Sequence, residues 1–441
     1  MNILLIAKLA QATMSTSDPS RCPDDRPVFP QELFDKLIDS VEVDSPRYLR
    51  SFALVSKAWA HRSRKRIFSQ VRFTSKATFE LWCKNTAPGP NGPSALVRVL
   101  VFSQIRRNLW IHPSILLEGE QHLMSFTNLK GWVAFGLDTL CFEDRALLSR
   151  CFRPIGRDLR FVRLHHVRGS PRTLTSLIQQ FPTIQTLAIE YYTEAGRTSQ
   201  EEPIDETGGR FQGTLQLLSI EFDGLAAIDA IARLPLKYTE LNLTSSLYHV
   251  EPYNRLLLAC APTLERLRII DTRKPRGHWE DPVGVSIYPL RPSGPHRIAD
   301  SRTLTVASCT ELQMVYLGTS RKPGPMLARF IQSINPLNLL ELAFELIWDK
   351  YTDDDIASVI DIPAWEPIDN VLCALARRIR EVHPERKLSV VLSVVAPPST
   401  DFRKVKIGTL FSGFRWEGSI SLQYFIDYLP PVSFVTSPYS V

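Results

Sequence analysis

The sequence contains no Cys-x-x-Cys pair, Gly-x-Ser-x-Gly elbow, His-Glu-x-x-His run or Gly-rich phosphate loop. Those absences remove the usual sequence signatures of zinc sites, serine hydrolases, zinc peptidases and nucleotide binding. No apolar stretch approaches the ~20 residues that a membrane-spanning helix needs. Charge of one sign is also scarce, since a formal net of +6 over 441 residues is too small for the concentrated basic face of a nucleic-acid binder. Seven cysteines stand far apart, at 22, 83, 141, 151, 260, 309 and 373. Their odd number and spacing argue against a disulfide framework and suit the reduced thiols of the cytosol or nucleus.

What is present is apolar enough to fold, with 44% hydrophobic and 22% charged residues. The length is too great for one ordinary core, so two domains, or a small domain joined to an elongated array, are expected. The opening "MNILLIAKLAQA" has its apolar run broken by Lys8 and no positive segment before it. That argues against a secretory signal, and Met14 offers a second start. Residues 1–27 form a leader whose Ser, Asp, Pro and Arg cannot bury enough surface to fold.

Order begins at Val28. In "PQELFDKLIDSV" Leu33, Leu37, Ile38 and Val41 recur at helical spacing behind Pro30, which a first helical turn tolerates. "RYLRSFALVSKAWAHRSRKRIF" then places Tyr48, Phe52, Val55 and Trp59 on one stripe. Helices this short are expected not to enclose a core of their own, and so to leave apolar surface for the next domain or a partner to cover. The Pro/Gly cluster "NTAPGPNGPS" marks residues 74–95 as a linker.

From residue 96 a strand signature of the form L-x-x-L-x-L recurs: "LVRVLV" at 96, "LKGWVA" at 129, "LRFVRL" at 159, "IQTLAI" at 184 and "LQLLSI" at 215. It continues with "YTELNL" at 238, "LERLRI" at 264, "LQMVYL" at 312 and "LLELAF" at 339. Such a period predicts a leucine-rich-repeat array, in which each strand buries its Leu face only by stacking on its neighbour. Apolar stretches such as "LTSLIQQFP", "LLLACAPT" and "LARFIQSINP" read as outer helices closed by proline. The asparagine expected just past each strand is replaced by Tyr192, Asp223, Ser246, Thr272, Ser320 and Ile347, so the repeats are degenerate. The array spans 96–400, with 272–311 as an inserted loop and 401–441 as a C-terminal cap or tail. The fold class is thus α/β: a small helical domain, then an irregular solenoid with a curved parallel sheet and outer helices.

Across 28–73 the pattern resembles an F-box. Phe29-Pro30 stands at the family's Leu-Pro, Glu32-Leu33 and Leu37-Ile38 follow in place, and "LVSKAW" (54–59) stands for its Val-Cys-Arg-x-Trp. Phe29, Ser56 and the missing tryptophan near 68 depart from the motif. The whole chain is similar to the large F-box families of fungi. The resemblance implies docking to the SKP-type adaptor of a cullin (SCF-type) ubiquitin ligase, while the repeats select a target protein. Phe29, Pro30, Leu33, Leu37, Ile38, Leu54, Val55 and Trp59 are of the size that dominates helix-in-groove recognition. Target binding then falls to outward strand positions, among them Arg163, His165, Glu190, Glu221, Asn242, Arg266, Arg268 and Tyr316.

Nothing assembles a nucleophile, a base and an oxyanion donor, so no catalytic residue, cofactor or metal is expected. Ubiquitin transfer would belong to other subunits, and this chain would supply proximity. His165 and His166 adjoin on a strand and should face opposite ways. Asp353-Asp354-Asp355 lacks the alternation and central glycine of a calcium loop. An arginine run (Arg145, Arg150, Arg153, Arg157, Arg160, Arg163, Arg168, Arg172) could read an acidic or phosphorylated segment. The favoured reading is that these arginines lie over the helix and pair with the acidic stretch 190–206. The alternative function is a protein-binding repeat scaffold without adaptor docking. Neither reading involves nucleic acid or a membrane, and both place the chain in the cytoplasm or nucleus.

Overall fold

A computed structural model describes residues 31–41, 46–89, 92–103, 111–142, 144–195, 214–221, 225–234, 236–244, 250–271, 304–319, 325–347, 362–396 and 420–428. Phe29, Pro30, the leader 1–27, the acidic triplet 353–355 and most of the 272–311 insertion lie outside them. The chain divides into two compact units, Met1–Val162 and Arg163–Val441. That boundary falls inside a strand of the repeat region and not at the expected linker.

The first unit opens with α1 (Gln31–Ser40), α2 (Pro46–Phe52) and α3 (Lys57–Ile67). Contrary to expectation, these three helices do enclose a core. Ile38, Val41, Leu49, Phe52 and Trp59 are buried together, and Phe34, Leu37, Val55 and Ile67 pack around them. The physical reason is Trp59, whose ring lies 4.7 Å from Phe34 and 5.5 Å, edge-on, from Phe52. One large side chain thus supplies much of the volume at the helix crossing. Ser56 caps α3 by accepting from the Trp59 amide at 3.2 Å, which fixes where that ring enters. Arg62 pairs with Asp39 and ties α3 back to α1.

Residues 74–95, expected to be a linker, carry α4 (Lys76–Asn85), started by a Ser75/Thr78 capping box. Strand β1 (Gln70–Phe73) precedes it, so the sheet begins inside the segment assigned to the helical domain. β2 (Val99–Ser103) and β3 (Gly131–Phe135) follow in parallel, with Val71, Leu100 and Trp132 in one register row and Phe73, Phe102 and Ala134 two rows on. α5 (Pro113–Glu118), α6 (Glu120–Met124) and α7 (Arg145–Gly156) pack against one another. Phe79, Phe73, Phe102, Trp132 and Phe152 form an aromatic chain with ring centroids 5.1 to 6.4 Å apart. Gly131 is obligatory there, because a Cβ would run into the Phe161 ring. β4 (Phe161–His165) spans the division between the units.

The second unit holds the short pair β5 (Arg168–Gly169) and β7 (Thr193–Glu194), with α8 (Pro171–Ile178) and β6 (Thr186–Glu190) between them. Then come β8 (Thr214–Glu221), α9 (Leu225–Ala232), β9 (Lys237–Thr244), α10 (Val250–Cys260) and β10 (Arg266–Asp271). β11 (Met314–Thr319), α11 (Pro325–Gln332), β12 (Glu341–Ile347), α12 (Ile362–Val382), β13 (Leu388–Ala396) and β14 (Ile420–Tyr428) complete it. From β6 through β8 to β14 every strand pairs in parallel with the next, always in chain order. One register row reads Leu187, Leu218, Leu241, Leu267, Val315, Leu342, Val390, which explains the L-x-x-L-x-L recurrence: each Leu sits beside its counterpart one strand over. The unit is therefore a mixed α/β structure with a parallel sheet, compatible with a repeat solenoid. β14 extends the sheet into the region expected to cap it. Within the insertion, the described tail 304–311 buries Leu304, Val306 and Cys309.

Successive strands are also joined by shared acceptors. The Arg98 carbonyl takes the amides of both Lys130 and Gly131, at 2.7 and 2.9 Å, and the Glu265 carbonyl takes those of Gln313 and Met314, at 2.7 and 3.1 Å. A carbonyl has two lone pairs, and here both are used. Side chains reinforce the same edge: Asn128 donates to Ala95 O at 2.7 Å, Thr263 to Tyr238 O at 3.0 Å and Asn338 to Thr310 O at 2.9 Å. Past the strands, where a repeat asparagine is missing, the buried Tyr192 hydroxyl reaches back to Gly169 O at 2.6 Å.

Candidate functional site

Two surfaces merit description, one in each unit. On the three-helix segment the structure separates the eight apolar candidates. Ile38 and Trp59 are consumed by the internal core, and Leu37 and Val55 are half-buried against it. Leu33 remains 50% exposed and Leu54 88% exposed, with Tyr48 nearby in sequence at 42%. Leu54 thus takes no part in the closed three-helix core. Phe29 and Pro30 lie outside the described residues.

In the second unit the outward strand positions form two clusters. At the first, Glu190 takes two partners on one carboxylate: Arg163 Nε donates to Oε1 at 2.8 Å, and His165 Nδ1 lies 2.7 Å from Oε2. Burial alone would raise the Glu190 pKa, but the His165 hydrogen bond and the Arg163 guanidinium outweigh it and hold the carboxyl below its usual range. His165 is buried at the end of β4, whereas His166 is exposed and already off the strand, so the expected alternation of the pair along one strand does not apply.

The second cluster centres on Arg268. Its guanidinium lies 4.8 Å above the Tyr316 ring and 3.5 Å from Glu345 Oε2. Burial first, then the hydrogen bond to Glu345, drive the Tyr316 hydroxyl well above its usual pKa, so it stays protonated as a donor. Asn242 registers with Arg268 from the other side, and its buried Oδ1 has no hydrogen-bond partner among the described residues. Arg266 is exposed between Glu240 and Met314 in register. Glu221 stands opposite Glu190 in the strand pairing, and its side chain is not described. The fold therefore joins Arg163, His165 and Glu190, and separately Asn242, Arg268 and Tyr316.

Sequence reasoning missed a feature at the first cluster. His166 and Tyr191 both adopt left-handed backbone, with φ of 51° and 57°, and their rings stack at 4.8 Å and 12°. Non-glycine residues rarely sit there. The only sequence signal is that each follows the end of its strand by one residue. Among the described residues, no cluster of three His, Cys, Asp or Glu side chains could hold a metal ion. No described helix is long and apolar enough to cross a membrane.

No family model matches the chain, and no curated protein matches it. Among solved structures, the chain is similar to one in the crystal structure of the Rad7 and Elc1 complex in yeast, at 11% identity and a TM-score of 0.31, covering 95% of this chain and 94% of that one. At that score the likeness carries neither fold nor function across.

Proposed function

We propose that this chain is the substrate-recognition subunit of a cullin-based SCF-type ubiquitin ligase, with α1–α3 as an F-box that docks a SKP-type adaptor and the leucine-rich-repeat strands as the target-binding face. It acts without catalysis of its own, in the cytoplasm or nucleus. The observation that carries the reading is Leu54, almost fully exposed beside a three-helix core that is complete without it. Leu33 extends the same argument to α1, and the F-box pattern over 28–73 supplies the identity of the partner. The charged and aromatic clusters around Glu190 and Arg268 suit selective contacts with a folded or extended target, since their polar groups are positioned on strands and not on loops.

The deciding experiment is capture of purified SKP-type adaptor by the full chain, wild type against Leu33→Asp with Leu54→Asp. Both positions are exposed, so the double variant should melt like wild type while adaptor binding falls by about thirtyfold or more, the effect of losing interface anchors. Failure of the wild-type chain to hold the adaptor would leave the second reading, a repeat scaffold without ligase docking. That reading draws on Ile38 and Trp59, two of the eight candidate anchors, being committed to the internal core.

A further inference from the structure

The fold breaks up the arginine run of residues 145–172. Arg163 is taken by Glu190, whereas Arg150, Arg153 and Arg157, spaced by three and four along and just past α7, share one helix face. They line a groove of about 730 Å³ in the first unit, whose other wall comes from α6 and the turn after it through Met124, Phe126 and Leu129. That volume is within the ~300–1,000 Å³ of ordinary ligand pockets.

Two of these cations, Arg150 and Arg153, are under-used. Arg150 lies 3.9 Å from Glu120 with its side chain 67% exposed, a pairing worth at most about 1 kcal/mol. Arg153 is exposed and has no polar partner among the described residues. Pro154, on the same wall, has no N–H to give the Arg150 carbonyl, which leaves that acceptor without its helical bond. Met124 is exposed at the groove, an adaptable apolar surface for an incoming side chain.

We propose that this groove binds an acidic peptide segment of a partner protein, with carboxylates on Arg150 and Arg153 and an apolar side chain against Met124. Charge complementarity selects the acidic partner. A peptide fits better than a nucleic acid because Glu120 and Asp158 share the groove. A peptide can space its carboxylates to meet Arg150 and Arg153 and set uncharged residues against these two acids, whereas a phosphate backbone carries a charge at every unit. Phe126 is moreover buried and offers no face for base stacking. The proposal is independent of adaptor docking.

The test is fluorescence anisotropy with the full chain and a labelled peptide of repeated Glu-Glu-Leu, beside its Gln-Gln-Leu counterpart and a labelled single-stranded oligonucleotide. Saturable, salt-sensitive binding of the glutamate peptide is expected, reduced about tenfold or more by Arg150→Glu with Arg153→Glu. The glutamine peptide should bind correspondingly weakly. Arg153→Gln, a milder change at an exposed site, repeats the measurement should the double variant melt early. No saturable binding, equal binding of the two peptides, unchanged binding by the variants, or tighter binding of the oligonucleotide would each overturn the proposal.

Discussion

Arg268 on β10 reaches past the whole of β11 to meet Glu345 on β12, at 3.5 Å. β11 makes room for this in two ways. Opposite Arg268 it carries Tyr316, whose ring the guanidinium covers, and opposite Glu345 it carries Gly318, which has no side chain. A Cβ on Gly318 would stand 3.1 Å from Ile270 Cγ1, beside the bridge. Gly318→Val should therefore destabilise the second unit by about 1–3 kcal/mol through overpacking. Calorimetry of the variant should show a lower melting temperature, and an unchanged one would mean that the face is not filled as described.

Glu190 yields a prediction in pH. Its folded pKa is depressed by His165 and Arg163 against the opposing effect of burial. A depressed carboxylate stabilises the fold fully above its unfolded value of about 4.3 and loses that contribution as pH falls through the folded value. Glu190→Gln should cost about 1–3 kcal/mol near neutral pH, and its gap to wild type should close at more acid pH. Urea titrations of both proteins at neutral pH and well below pH 4, past the depressed folded value, would check this.

Within the three-helix segment, Trp59 and Leu54 should behave oppositely although only five residues apart. Trp59→Ala removes the ring that fills the helix crossing and should destabilise the segment by about 3–5 kcal/mol. Leu54→Asp, at a nearly fully exposed site, should leave its melting unchanged. Tryptophan-independent readouts, such as hydrogen exchange of residues 31–67, would separate the two.

Burial pushes the thiols of Cys260 up to about 12 and of Cys151 and Cys309 up to about 11. At mildly alkaline pH these should be the last to react with iodoacetamide in the folded protein, after the half-exposed Cys83 and Cys141, whose thiols burial also raises. Mass spectrometry of labelled peptides would settle the order, and early modification of Cys260 would contradict the packing around it.

Much of the architecture is readable from residues alone, because each repeat strand must present leucine at a fixed spacing to stack on the next. The rows through Leu187, Leu241 and Leu342 are that rule made visible. β1 and α4 escaped it, since "QVRF" carries no leucine and the nearby Pro/Gly cluster suggests a linker. The Tyr192 rung was hidden for a similar reason: a tyrosine does from a distance what an asparagine would do close by.

Local chemistry in the sequence by itself determined where the leucine-bearing strands and most of the helices between them fall, because periodicity and proline act over a few neighbours. Tertiary structure alone decided which apolar residues of 31–67 are spent inside and which stay outside. It also decided which arginines are neutralised, and that Arg268 finds Glu345 over 77 residues of chain. Helical spacing shows that side chains share a face, but not how many other elements come to cover it.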